Sequence, residues 1–282
     1  MSERPSTPAI FALTSLALLG FAANSLLCRL ALGDGAIDPA SFTTVRLVAG
    51  ALALVLIVSL RGGDSSAGRG SWLSASMLFL YAAAFSFAYV SLSTGTGALI
   101  LFGAVQVTML VAALAAGERP RAVEWLGLAA ALGGLVYLVS PGLAAPSPVG
   151  SALMAASGFA WGIYSLRGRG AGDAIRVTRD NFVRSVPMVL VVSAFALNQA
   201  DLSPRGVLLA AISGALTSGA GYAIWYTALP WMTATRAATV QLSVPILAAV
   251  AGVIVLGESV SWRLAVSAVL ILGGVGLSLS RK

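Results

Sequence analysis

The sequence has no histidine, one cysteine and few charged residues. Only 10% of its 282 residues are charged, whereas an ordinary soluble domain carries about 25%. Without histidine, the chain lacks the commonest metal ligand and every Ser-His or Cys-His catalytic pair. Cys28 cannot form an intramolecular disulfide and is predicted to pack as a small apolar side chain. These shortages exclude a soluble protein of this size and much of enzyme chemistry.

Hydrophobic residues make up 58% of the chain. A membrane span needs about 20 residues, so ten spans would use about 200 and leave only tails and short connections. The sequence therefore predicts an all-α integral membrane protein with ten transmembrane helices and no added soluble domain. The predicted spans are residues 9–32, 40–60, 72–92, 96–116, 122–140, 149–166, 182–200, 206–229, 234–256 and 261–279.

The longest predicted connections are Arg61–Ser71 and Arg167–Asn181. The first apolar run, preceded by Arg4, has a cleaved signal peptide as its alternative interpretation, but it is longer than the usual apolar region of such a peptide.

The distribution of basic residues predicts the orientation of the chain. Basic residues in short loops are retained on the cytoplasmic side, and placing both termini there puts twelve of them inside and three outside. We therefore expect a multi-pass protein of a bacterial inner membrane, and we interpret the net charge of +7 as topology rather than nucleic-acid binding. The three outer residues are Arg29, Arg205 and Arg263; the inner ones are Arg4, Arg61, Arg69, Arg119, Arg121, Arg167, Arg169, Arg176, Arg179, Arg236, Arg281 and Lys282.

The two halves of the sequence resemble each other. A Gly-Phe-Ala motif followed by a Val-Arg pair, and a Gly-Glu turn followed by Gly-Gly, each recur about 140 residues later. Because five helices is an odd number, a duplicated unit enters the membrane inverted, and two inverted copies permit alternating access. The predicted organisation is a first repeat at 1–140, a linker at 141–148 and an inverted repeat at 149–282; a duplication kept only for packing is the alternative. The recurring motifs begin at Gly20 and Gly158, Val45 and Val183, Gly117 and Gly257, and Gly133 and Gly273.

These paired motifs, together with Pro245 in span 9, resemble the drug/metabolite transporter superfamily, and in particular its EamA-type ten-helix branch. The resemblance spans nearly the whole chain, although Val105 stands where the repeat would place a counterpart of Pro245. It implies a central cavity lined mainly by helices 1, 3, 4, 6, 8 and 9, with helices 5 and 10 peripheral. Within the branch, the chain looks most like bacterial exporters of aromatic amino acids and related metabolites.

Polar-tipped aromatic residues recur at helical spacing in the predicted spans. Such stripes wall a cavity or pack against neighbouring helices, and a mid-membrane phenol or amide needs a partner in either case. Amides for a polar head and rings for an apolar body suit an amphipathic solute. The predicted substrate-binding residues are Asn24, Tyr81, Phe85, Tyr89, Trp161, Tyr222, Trp225, Tyr226 and Gln241; helix-to-helix hydrogen bonding is the alternative for amides of this kind, Gln106 among them.

The ionisable residues lie mainly at the ends of the predicted spans, and none offers an obvious intramembrane proton site. Gradient-driven export is therefore the simpler hypothesis, and proton-coupled export of another substrate is the alternative. The matched pair Arg46 and Arg184 is predicted to cap carbonyls or fix a loop, with substrate contact as its alternative.

We expect a transporter for a small-molecule substrate rather than an enzyme, without a cofactor or metal. Small residues in spans 5 and 10 allow close helix approach within the chain or in a homodimer. A channel or structural membrane protein is the non-enzyme alternative. A G-x-G-D string at Gly170–Asp173 is typical of intramembrane proteases, but the predicted topology separates Asp173 from Asp34.

Overall fold

The protein is built from helices joined by short connections. The computed structural model describes residues 6–61, 69–115, 117, 122–142, 145–168, 173–231, 240–241 and 243–279. Within these ranges there is no β-strand, only an isolated antiparallel bridge between Ile37 and Leu202. The main helices are α1 Thr7–Leu32, α2 Pro39–Arg61, α3 Trp72–Tyr89, α4 Thr94–Ala115, α5 Ala122–Val139, α6 Pro148–Gly168, α7 Ala174–Ala196, α8 Pro204–Ala228, α9 Ser243–Leu256 and α10 Trp262–Leu279.

The described helices confirm an all-helical membrane protein. Six of them, α1, α2, α3, α6, α7 and α8, are long and apolar enough to cross a membrane, and the apolar parts of α4, α5, α9 and α10 are shorter. Large apolar side chains cover the outside of the molecule; Phe195 is 86% exposed and Ile254 is 76% exposed. Such a surface is stable against lipid and is rare on soluble monomers.

The seventh helix differs from its predicted bounds. The sequence predicted a connection up to Asn181, but α7 begins at Ala174, where the side chain of Asp173 accepts a hydrogen bond from the backbone N–H of Arg176. The predicted connection was too long because the first two turns of α7 carry charged and polar residues and therefore no membrane-span signal. A single side-chain acceptor, Asp173, is enough to start the helix there. The predicted start of span 9, at 234, lies outside the described residues.

Helices α5 and α10 pack against each other through a glycine at the edge of the bundle. A Cβ on Gly134 of α5 would lie 2.7 Å from the Cβ of Leu270 in α10, so these two helices approach closely within one chain. Both also contact α4. The main buried cluster draws mostly on the other helices but also includes Leu138 of α5 and Leu264 and Ile271 of α10, and Cys28 is fully buried in it.

Helix α8 carries the least regular backbone of the core. Between two α-helical parts it has a π-helical segment, Ser213–Ala220. This segment packs against α2, and a Cβ on Gly214 would lie 2.9 Å from the Cα of Arg46. Because no side chain separates the two backbones, the hydroxyls of the π segment lie close to the middle of α2. Wide turns of this kind are frequent at functional sites.

Candidate functional site

Aromatic rings from four helices meet near the middle of the membrane-spanning core. Tyr81, at the midpoint of α3, and Tyr222 of α8 each lie with their ring centroids 4.9 Å from Trp161 of α6. Phe21 of α1 lies edge-on to Trp161 at 6.1 Å and to Tyr222 at 5.8 Å. These separations are in the favourable range for aromatic pairs. All four side chains are buried, and we call them, with Phe85, the aromatic cluster.

Asn24 connects the aromatic cluster to the π segment of α8. Its amide oxygen accepts hydrogen bonds from Ser213 at 2.7 Å and from Thr217 at 3.1 Å, and its amide nitrogen donates to the Tyr81 hydroxyl at 3.4 Å. Every partner is a side chain from another helix. Substrate binding by Asn24 stays a prediction, because hydrogen bonding between helices accounts for the same contacts.

Arg46 is the largest fully buried side chain, with 1% of its surface exposed. Its Nε donates to Ser218 at 3.1 Å and its Nη2 donates to the Tyr81 hydroxyl at 3.0 Å. Its guanidinium carbon lies 5.0 Å from the ring centroid of Phe85 and 5.2 Å from that of Tyr81, which is cation–π range. The carbonyl-capping role predicted for Arg46 is wrong, because its hydrogen bonds go to hydroxyl groups in the protein centre.

The aromatic cluster encloses little open space. The cleft between Phe21, Asn24, Tyr81, Trp161 and Tyr222 has a volume of about 10 Å³, close to the minimum for one water molecule. A metabolite therefore fits only after the rings separate. A larger cavity of about 280 Å³ lies between α4, α9 and α10, but its lining is wholly apolar and offers nothing to orient a polar group.

The remaining predicted site residues lie at different distances from this centre. The stripe on α3 continues from Tyr81 through Phe85 to Tyr89, with successive ring centroids 5.5 Å and 4.7 Å apart, and the Tyr89 hydroxyl donates to the Thr94 carbonyl at 3.3 Å. Three further predicted residues, Trp225, Tyr226 and Gln241, are buried but do not line the central cleft. The ring centroid of Trp225 lies 5.7 Å from that of Phe21.

Several residues of the centre are missing from the predicted set. Phe21 precedes Asn24 by three positions, so the face of α1 that carries the amide also carries the ring. Ser213 and Thr217 have a spacing of four in the sequence, which is a helical signal. Ser218 follows directly and shares their face only because the backbone there is π-helical, a feature that α-helical periodicity does not predict.

A second polar cluster lies at the end of α3, on the side predicted to be outer. The Glu258 carboxylate accepts hydrogen bonds from the backbone N–H of Thr94 at 2.9 Å and its hydroxyl at 3.2 Å, so it caps α4. Arg29 lies 3.5 Å from that carboxylate and also donates to the Tyr89 carbonyl. Gly257 and its counterpart Gly117 both have positive φ angles, 63° and 84°, as a tight Gly-Glu turn requires. Glu118 lies outside the described residues.

The acidic residues of the protease alternative have separate roles. Asp34 lies 3.8 Å from Arg205 in an exposed pair, and Asp173 caps α7 and pairs with Arg176 at 3.0 Å. Within the described part of the chain, no three His, Cys, Asp or Glu side chains group as metal ligands would. Residues 170–172 of the G-x-G-D string lie outside the described residues.

A bundle of apolar helices around a buried polar and aromatic centre is the architecture of a polytopic membrane protein. The model of the EamA-like transporter family matches residues 148–280. The chain is 51% identical over 268 residues to the uncharacterized protein PA1977 of Pseudomonas aeruginosa. This alignment covers 95% of this chain and 93% of PA1977. A crystal structure of a protein 20% identical to this chain superposes with a TM-score of 0.67, covering 97% and 98% of the two chains, which shows a shared fold.

The chain belongs to the EamA-like transporter family. This confirms the resemblance drawn from the paired Gly-Glu turns and arginines, and it places the chain in a family of transporters rather than enzymes.

Proposed function

We propose that this protein exports small amphipathic metabolites across the inner membrane of a bacterium, with aromatic and other neutral amino acids as its substrates. Two inverted five-helix repeats, residues 1–140 and 149–282 joined by the linker 141–148, alternate access to the central site. Both termini lie in the cytoplasm, as the excess of basic residues in the inner loops indicates.

The pairing of the helices supports an inverted repeat. In such a repeat each helix of the first half has a counterpart five helices later, so every packing contact has a counterpart too. The contact of α3 with α6 corresponds to that of α8 with α1, and the contact of α4 with α6 corresponds to that of α9 with α1. Likewise α3 packs on α7 as α8 packs on α2.

The observation that carries the proposal is the joint position of Trp161, Tyr81 and Tyr222 around Asn24 at mid-membrane. Rings supply an apolar surface for a substrate's body, and the amide and phenols supply hydrogen bonds for its head. The closed cleft fits one state of an alternating-access cycle, since the rings must separate before a substrate enters.

The driving force follows from the same centre. The ionisable side chains near the cleft are phenols and a guanidinium, and within the described part of the chain no carboxylate lies there. Proton-coupled carriers commonly use an intramembrane Asp, Glu or His. We therefore propose facilitated export down the substrate gradient; proton-coupled export of another substrate is the second candidate.

The test is uptake of labelled phenylalanine and tryptophan by proteoliposomes, with and without an imposed pH gradient. Saturable flux without the gradient supports the proposal. Trp161→Ala should lower kcat/KM by about 10-fold, because the substrate loses an aromatic contact worth up to about 1.5 kcal/mol. Trp262→Ala is the matched control, since Trp262 is 78% exposed at a helix end.

Three outcomes would argue against the proposal. Flux that appears only with a pH gradient would establish proton coupling, and flux that does not saturate would establish a channel. Equal loss of flux in the Trp161 and Trp262 variants would show that the aromatic cluster is not the substrate site.

A further inference from the structure

In the described part of the chain, the buried guanidinium of Arg46 has no carboxylate partner. Among the described residues, every ion pair involves other basic side chains, and the titratable groups that interact with Arg46 are the phenols of Tyr81 and Tyr222 and the thiol of Cys28. Its Nη1 is buried without a hydrogen bond. A buried charge without a counter-charge is expensive, so this position strongly favours an anion.

The groups around Arg46 donate more hydrogen bonds than they accept. The hydroxyl oxygen of Tyr81 lies within hydrogen-bond distance of Arg46 at 3.0 Å, Tyr222 at 3.3 Å and Asn24 at 3.4 Å. Arg46 and Asn24 fill the two lone pairs of this hydroxyl. Only one of the two phenols donates in the contact between Tyr81 and Tyr222, so the hydroxyl hydrogen of the other finds no acceptor among the described residues. Together with the unpaired Nη1, this makes a centre that is rich in donors and poor in acceptors. A carboxylate, which accepts up to four hydrogen bonds, complements it.

The counterpart arginine in the second half, Arg184, differs from Arg46 in having an acidic neighbour, although its Nη1 is likewise buried without a hydrogen bond. Arg184 lies 3.8 Å from the carboxylate of Asp180, one turn earlier on α7, and its side chain is 28% exposed. The residue one turn before Arg46 is Phe42, which is fully buried and uncharged. The two halves thus hold equivalent arginines, of which only the one beside the aromatic cleft lacks an acidic neighbour.

We propose that Arg46 binds the carboxylate of the transported substrate, so that the site selects aryl and other apolar carboxylates and gives no opposite charge to an ammonium group. The inference rests on the proposed function and narrows it, since an aromatic amino acid is recognised through its carboxylate and ring. Tyr81 carries the contact from Arg46 to the cleft, and separation of the rings opens the path to the guanidinium.

Three ligands with a phenyl ring distinguish the contribution of the carboxylate from that of the ammonium group. Phenylalanine has both groups, 3-phenylpropionate has only the carboxylate, and 2-phenylethylamine has only the amine. Binding to the purified full chain is measured by calorimetry, independently of transport. Both acids should bind at least about 10-fold more tightly than the amine, because charge-assisted pairing with a buried arginine is lost for the amine. Equal binding of the amine, or binding of none of the three, would overturn the inference.

Variants assign the effect to the residue. Arg46→Gln should weaken binding of both acids by about 100-fold and leave the amine unaffected, since a buried charge pair loses one partner. Arg184→Gln, the matched control, should change all three affinities less than about twofold because Arg184 pairs with Asp180 and not with the aromatic cluster. Arg46→Lys keeps the charge without the planar fork and should restore about 10-fold of the loss; it replaces Arg46→Gln if that variant does not fold.

The outcomes separate this inference from the proposed function. If the protein binds the acids through Arg46 but moves no labelled aryl compound, the carboxylate site stands and export of aromatic amino acids fails. If the protein moves phenylalanine but Arg46→Gln lowers the affinities of all three ligands equally, Arg46 is structural and the inference fails.

Discussion

The close crossing of α2 and α8 gives a prediction about the backbone beneath the candidate site. A methyl group at Gly214 would overlap the Arg46 carbonyl oxygen and lie 2.9 Å from its Cα. The obstacle is backbone, so relief requires α2 and α8 to move apart and draws Ser218 away from the guanidinium. Gly133 of α5 is the control, since a methyl group there meets nothing within 4 Å.

Two effects of a glycine-to-alanine change on the free energy of unfolding act in opposite directions. Overpacking costs about 1–3 kcal/mol, and a rigid obstacle favours the upper end, whereas replacing a helical glycine by alanine contributes about 0.5–1 kcal/mol in the other direction. Gly214→Ala should therefore lower the free energy of unfolding by about 2 kcal/mol. Gly133→Ala should raise it by about 0.5–1 kcal/mol.

Reversible unfolding in mixed detergent micelles measures both variants against the natural chain, with helical circular dichroism as the signal. If Gly214→Ala is as stable as Gly133→Ala, α2 and α8 do not pack through bare backbone, and the π segment does not hold its hydroxyls beside Arg46 as described.

Two further predictions concern the ends of the core and its natural thiol. Glu258→Ala should lower the free energy of unfolding by about 2 kcal/mol because α4 loses its cap, and a double-mutant cycle with Arg29→Ala should show a coupling of about 1 kcal/mol; additive losses would mean that the 3.5 Å pair contributes nothing. Cys28 has no exposed surface, so a maleimide should label it about 100-fold more slowly in the folded protein than in sodium dodecyl sulfate, which corresponds to an opening free energy near 3 kcal/mol. Equal rates would contradict its burial.

The membrane class, the helical content and the aromatic stripes were predictable because each depends on short-range pattern. Hydrophobicity over about 20 residues predicts a span, and a spacing of four predicts that Tyr81, Phe85 and Tyr89 share a face, as they do. The start of α7 was missed because its first turns are polar. The paired Gly-Glu turns, paired arginines and Gly-Gly pairs, taken together with Pro245, were sufficient to indicate the family.

The role of Arg46 depended on tertiary structure. As a sequence feature it is an arginine two turns into an apolar run, with the same appearance as Arg184, and snorkelling or capping explains both equally well. Its partners come from α3 and α8, 35 and 172 residues away, and the acidic residue beside Arg184 has no counterpart beside Arg46. Sequence alone determined that this chain lies in a membrane as apolar helices, because transfer of side chains from water is a local property. Only the packing of those helices decided that the Arg46 guanidinium lacks a carboxylate partner among the described residues, because its neighbours in space are distant in the sequence.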